Sequence, residues 1–191
     1  MPKLAPPLRR IIGIDPGSRI TGYGIVEVSG ARSRWIAHGR IACAAGPLPQ
    51  RLLRILQEVS AVIREHRPTE AAIEEVFVKD NVATALILGQ ARGAAICALA
   101  HAGLAVAEYA PASIKSAIVG SGRAEKAQIQ HMVKALLGLD EAPPTDAADA
   151  LAIALCHAHQ RSIAGAAGGG TRVATSWRQM RVDSNGKLVK R

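Results

Sequence analysis

The run Ile11-Ile12-Gly13-Ile14 carries an apolar stretch straight into one carboxylate, Asp15, and then into Pro16-Gly17-Ser18. Such a run, closed by a Pro-Gly turn, predicts a buried strand followed by a tight reversal. Beyond the turn, Ile20, Gly22, Gly24, Val26 and Val28 alternate with Thr21, Tyr23, Ile25 and Glu27, the pattern of a returning hairpin strand. Gly17, Gly22 and Gly24 would let a backbone or a ligand approach closely. Residues 33–43 predict a third strand, with Trp35 as a strand former and Gly39 marking a bulge. Leu52, Leu53, Ile55, Leu56, Val59, Val62 and Ile63 recur at helical spacing over 51–66, after Pro47 and Pro49 and before Pro68. Short strands follow at 70–77 and 104–109. Helices are predicted over 81–102, 111–119, 126–137 and 146–159, the first of them closed by Gly103. Hairpin strands pair antiparallel and strands joined through helices pair parallel, so the order implies an α/β fold: a five-stranded mixed sheet, its first three strands antiparallel, flanked by helices.

A chain of 191 residues suits one domain with a real core. The expected domain spans 1–163. From 164 onward the Gly- and Ala-rich segment with scattered charges has no apolar periodicity and reads as a disordered tail over 164–191. No signal-peptide run precedes the first strand, and the most apolar stretches, 83–102 and 147–158, are interrupted by Gln90, Arg92, His101, Asp149 and His157. A soluble, cytoplasmic protein with no membrane partner is the expectation. Cys43, Cys97 and Cys156 show no CxxC spacing and read as reduced, buried thiols; Cys156 with His157 or His159 lacks the usual zinc-ligand spacing.

Charge changes the picture. Twenty-four Lys and Arg face 15 Asp and Glu, and residues 161–191 hold seven of the basic residues against Asp183 alone. A basic tail on a mildly basic body favours a polyanion such as nucleic acid, although a merely solvated tail has the same composition.

Among the acidic residues, Asp15, Glu74 or Glu75, Asp146 and Asp149 stand in apolar surroundings. An ionised carboxylate at the end of a buried strand is costly without a cationic partner, and only Arg19 is near Asp15 in sequence. Glu74 and Glu75 point to opposite faces of their strand, so only one of them can join Asp15. Asp146 and Asp149 share one face at a helix start, where capping and dipole compensation alone would also place them. Together, these acids can converge only around a shared cation, because their mutual repulsion in a partly desolvated site is severe. Hard divalent ions such as Mg²⁺ take oxygen ligands and serve phosphodiester hydrolysis.

Five blocks carry a family resemblance: Gly13-Ile14-Asp15-Pro16-Gly17-Ser18-Arg19 with Thr21-Gly22-Tyr23-Gly24; Ala72-Ile73-Glu74-Glu75-Val76-Phe77; Leu88-Gly89-Gln90-Ala91-Arg92-Gly93; Ala124-Glu125-Lys126 with Gln130-His131-Met132-Val133; and Asp146-Ala147-Ala148-Asp149-Ala150-Leu151-Ala152. In that order, over about residues 10–160, the chain resembles the bacterial RuvC family of Holliday-junction resolvases. The resemblance implies a ribonuclease H-like fold and a homodimer that nicks two strands of like polarity in four-way junction DNA, in recombination and repair. It implies Mg²⁺, with Mn²⁺ as a substitute, and a RuvA–RuvB branch-migration complex as partner. It selects Glu74 over Glu75, making Asp15, Glu74, Asp146 and Asp149 the metal-binding catalytic set. Phe77, the only Phe, would stack on an unpaired base, although a core aromatic is the plainer reading of such a residue. Lys115 and Lys126 would contact DNA near the scissile phosphate. Arg92 is assigned to DNA, and with Gln90 it could equally serve the dimer, across which the small residues of that helix would admit a twin. His131 and His157 read as structural. A nuclease of related fold acting on RNA, a phosphate-binding ATPase using the turn at 15–18, and a junction binder without chemistry are the competing readings.

Overall fold

The computed structural model describes residues 8–76, 82–166, 180–182 and 188–190. Strands β1 (Arg9–Asp15), β2 (Ile20–Ser29) and β3 (Arg32–Ala42) form an antiparallel meander. Helix α1 (Leu48–His66) leads to β4 (Glu70–Glu74), which pairs parallel with β1, and α2 (Val82–His101) leads to β5 (Val106–Tyr109), parallel to β4. The sheet order is β3-β2-β1-β4-β5, followed in the chain by α3 (Pro111–Val119), α4 (Lys126–Leu137) and α5 (Thr145–Ala166). This is the mixed five-stranded sheet that the pattern predicts.

Alternation along β1 sorts the core into two layers. Ile12 and Ile14 face α1 and α2 with Ile25, Ile73, Ala95 and Leu99. Ile11 faces α3, α4 and α5 with Val26, Val28, Ala72, Leu151 and Leu155. Gly13 and Asp15 share the face of Ile11, because side chains two apart in a strand point the same way. Directly across the ladder Gly13 pairs with Gly24 and Asp15 with Gly22, so three glycines form a strip on the α5 side. A Cβ on Gly13 would drive into the backbone oxygen of Ala150, one on Gly22 into that of Asp146, and one on Gly24 would sit 2.7 Å from the backbone nitrogen of Leu151. What approaches these glycines closely is therefore the backbone of α5. The helix answers with its own small residues, since Ala147, Ala148, Ala150, Ala152 and Ala154 are all buried.

Near the middle of α5, His157 is fixed at both ring nitrogens. Nδ1 lies 2.7 Å from the Tyr109 hydroxyl and Nε2 lies 2.8 Å from Glu70 Oε2, while Arg9 donates to Glu70 Oε1 at 2.6 Å. Burial raises the Glu70 pKa, but the hydrogen bonds from Arg9 and His157 outweigh it and hold the carboxyl below its usual range. His157 is thus structural in the sense expected. It pins the helix about 16 Å along its axis from Asp146, at 1.5 Å per residue.

Several expectations need correcting. The register irregularity in β3 falls opposite Ile25 and Val26, where Ala37 and Trp35 pair and Ile36 is skipped. Gly39 instead pairs with Tyr23, whose ring occupies the space that a Cβ would need. Strand β4 stops at Glu74, where the chain leaves the ladder, and β5 begins at Val106. Helix α1 begins at Leu48, because Pro47 takes the cap position and Pro49 fits the first turn, where no N–H is needed. Cys43 and Cys156 are buried, but Cys97 is exposed on α2. Helix α5 runs over Thr145–Ala166, beyond the 146–159 span predicted. Within the stretch read as a disordered tail, Met180–Val182 (β6) pairs antiparallel with Leu188–Lys190 (β7). The Asn185-Gly186 dipeptide between them is a hairpin signal that a search for apolar periodicity passes over.

Helix α2 is long and apolar enough over Ala83–His101 to cross a membrane by length and composition. Its Ala91, Ala95, Ala98 and Leu99 nevertheless pack on the sheet, as a core helix does.

Candidate active site

Three elements deliver the acidic residues to one end of the sheet, and a fourth adds a lysine. Asp15 ends β1 and Glu74 ends β4, the neighbouring parallel strand, where Ile14 pairs with Ile73. Gly13 and Ala72 are partners in the same ladder, so Asp15 and Glu74 lie on the face shared by those residues and Glu75 does not. Register thus settles the choice that alternation alone left open. The glycine strip brings the first turns of α5 down onto the same end, with Asp146 and Asp149. Lys126, the first residue of α4, completes the group with its Nζ 3.7 Å from Asp149 Oδ2. The start of α4 is itself fixed by a capping box, in which Glu125 and Gln128 exchange hydrogen bonds.

Asp15, Glu74, Asp149, Lys115 and Lys126 line one cavity of about 150 Å³, whose apolar wall includes Ile114, Ile129 and Ile153. Asp146 is not in the lining, yet its charge acts on Asp15. Burial and the charges of Asp149, Glu74 and Asp146 push the Asp15 pKa up to about 7, with Lys126 pulling the other way. Glu74 is raised by burial and by Asp149, against Lys126 and Lys115. Asp149 is raised by burial and by Asp146, against the same two lysines. Partly buried acids that repel each other are relieved by keeping a proton or by a cation among them.

The donors are carboxylate oxygens, the chemistry that Mg²⁺ and similar hard ions take, and the charge they must share suits a divalent ion. The residues therefore fit such a metal in kind. In position they do not close on one point: among the described residues no three His, Cys, Asp or Glu side chains stand close enough to grip one ion. Repulsion spreads the acids, and Lys126 draws Asp149 to itself. A metal must compete with that lysine for Asp149.

The turn after Asp15 is held from the far side of the sheet. Arg51 on α1 donates to the Ser18 carbonyl and, at 2.8 Å, to the Cys43 carbonyl, while the buried Thr21 hydroxyl donates to the Gly17 carbonyl at 3.3 Å. Arg92, assigned to DNA from the resemblance, makes two contacts within the chain. Its Nε donates to the Glu74 carbonyl at 3.0 Å and its Nη2 to the Glu108 carboxylate on β5. Gln90 is exposed on α2, and His131 is exposed on α4. Phe77 lies outside the described residues. Sequence reasoning missed Arg51 and Glu108, whose roles follow from contacts between residues far apart in the chain and from no local pattern.

An open α/β sheet whose strand ends and helix start gather carboxylates beside lysines defines a ribonuclease H-like, metal-dependent nuclease. The family model described as "Crossover junction endodeoxyribonuclease RuvC" matches residues 11–157. A protein of that name from Alkalilimnicola ehrlichii is 58% identical over 154 residues, 81% of this chain and 93% of that one. The RuvC of Thermus thermophilus, solved in complex with a Holliday junction substrate, superposes with a TM-score of 0.76 at 38% identity, covering 81% of this chain and 96% of that one. The yeast mitochondrial Holliday junction resolvase Ydc2 shares the fold, with a TM-score of 0.54 at 12% identity, over 78% of each chain. The chain belongs to the RuvC family of crossover junction endodeoxyribonucleases.

The raised Asp15 pKa has a measurable consequence. An acid whose folded pKa lies above its unfolded value of 3.8 costs stability once ionised, so stability in EDTA falls as pH rises from about 4 to about 7 and then levels. Asp15→Asn removes that cost. Urea unfolding in EDTA should show the variant up to about 4 kcal/mol more stable than wild type at pH 8 and nearly equal to it at pH 4. Parallel stability curves across that range would refute the electrostatic account of the cluster.

Proposed function

We propose that the chain resolves four-way DNA junctions by symmetric nicking of two strands of like polarity, with Asp15, Glu74, Asp146 and Asp149 holding Mg²⁺. One observation carries the reading: carboxylates from two strand ends and a helix meet two lysines from two further helices at a single cavity. When bound, the metal would activate a water and steady the leaving oxygen of a phosphodiester. The chain's own residues do the rest. Lys115 and Lys126 face the acids across the cavity and receive the non-bridging oxygens of the scissile phosphate. The wall of Ile114, Ile129 and Ile153 lowers the local dielectric, which strengthens every charge interaction at the phosphate. Phe77, two residues after Glu75, is assigned to stack on a base unpaired at the crossover. A supporting fact is the relative solved with a Holliday junction.

The reading includes a homodimer joined through α2. Leu86 is 64% and Ile87 38% exposed there, and Gly89 and Gly93, four apart on one helix face, meet nothing within 4 Å of an added Cβ. A twin helix crossing on that small-residue face would cover the leucine and set two active sites about a two-fold axis. Partnership with RuvA and RuvB belongs to the same reading and rests on the family resemblance.

A synthetic mobile junction with Mg²⁺ should yield paired nicks on strands of like polarity, and Asp15→Asn should bind the junction with wild-type affinity while cutting at least 1000-fold more slowly, about 4 kcal/mol in barrier. Cutting by the variant at wild-type rate would exclude the carboxylate mechanism. In sedimentation velocity the wild type should run as a dimer and Leu86→Glu as a monomer; a wild-type monomer, or a dimer indifferent to the charge, would remove the α2 interface.

A further inference from the structure

We propose that Arg92 is a positioning residue for Glu74, and that Glu108 is the group that holds Arg92 to this task. The inference rests on the reading of Glu74 as a metal-holding carboxylate.

Glu74 is the last residue of β4. Among the described residues just beyond it, Glu75 N donates to the Tyr109 carbonyl at 2.9 Å. A side chain at a strand end takes its direction from a peptide plane that the ladder fixes on one side only. Arg92 supplies the second tie. Its Nε donates to the Glu74 carbonyl at 3.0 Å, and a fixed carbonyl fixes the rotation about the Cα–C bond of the residue whose Cβ carries the carboxylate. The guanidinium is planar and offers parallel donors, so the Nη2 contact to Glu108 on β5 sets the plane of the group that serves Glu74. Arg92 is mostly buried, with 18% of its side chain exposed, and Glu108 is partly exposed, at 30%. The contact that the structure shows is with the carbonyl and not with the carboxylate, so the proposed influence is mechanical. It runs from α2, much of whose surface is open in a single copy of the chain, to one carboxylate of the site.

A lysine can donate to the Glu74 carbonyl or to Glu108 but cannot hold both in one plane. Arg92→Lys should slow nicking at saturating junction about tenfold or more, and should raise the Mg²⁺ concentration for half-maximal rate severalfold. Binding of Mn²⁺ without DNA, followed by electron paramagnetic resonance, should weaken by a similar factor. Junction affinity and its salt dependence should stay within twofold of wild type. Glu108→Gln, which keeps an acceptor oxygen at an exposed edge and so spares the fold, should give a milder form of the same profile, and the double variant should be no worse than Arg92→Lys alone. Wild-type Mg²⁺ and Mn²⁺ dependence in both single variants would overturn the proposal. So would weakened junction binding with a shallower salt slope in Arg92→Lys, which is the profile of a phosphate contact. A wild type unable to nick the junction would instead defeat the functional reading, whatever the variants do.

Discussion

The contact between the backbone of α5 and the glycines of β1 and β2 is the constraint on which the rest of the molecule depends. A helix normally stands off a sheet because side chains fill the gap between them. Here Gly13, Gly22 and Gly24 leave no side chain beneath the helix, and its alanines bring little above it. The helix therefore descends until backbone meets backbone, and its first turns arrive beside the end of β1. The same descent buries Asp15 under Asp146 and Asp149. Proximity of acids and their desolvation are one event with two effects: the site becomes able to share a cation, and the protein without one bears an electrostatic load.

The two faces of the sheet divide the work. On the α5 face lie the carboxylates, the two lysines and the apolar wall of the cavity. On the opposite face α1 and α2 bury the alternate residues of the same strands and send arginines through to the strand ends, Arg51 to the turn after Asp15 and Arg92 to the carbonyl of Glu74. The middle of α5 is pinned separately by the network of Arg9, Glu70, His157 and Tyr109. A helix clamped at mid-length by hydrogen bonds and over its first turns by close packing has little freedom to slide, and small displacements matter at a site that must hold charges in register.

Much of this was legible in the residues. The strand into Asp15, the hairpin, the helices over 111–119 and 126–137 and the five-stranded mixed sheet follow from apolar periodicity and turn chemistry, which act locally. Gly22 and Gly24 were recognisable as points of close approach, but what approaches them was not, because α5 lies more than a hundred residues later. Glu74 and Glu75 could not be separated by pattern until the pairing of β4 with β1 fixed the face of each. For Arg92 the sequence offered no sign of its bond to the Glu74 carbonyl, because that contact depends on where β4 ends against α2. The pair Met180–Val182 and Leu188–Lys190 escaped because strands three residues long carry almost no periodicity.

If the seat of α5 is what assembles the site, a single methyl group under that helix should disarm it. Gly13→Ala places a Cβ against the Ala150 carbonyl, touches no carboxylate, and obliges the helix to shift. The most direct measurement is the nicking rate of this variant, at saturating Mg²⁺, on a four-way junction that it still binds. The account predicts a loss of about 100-fold, the scale of an ångström-sized misplacement at a reacting centre. Nicking at the wild-type rate would contradict it.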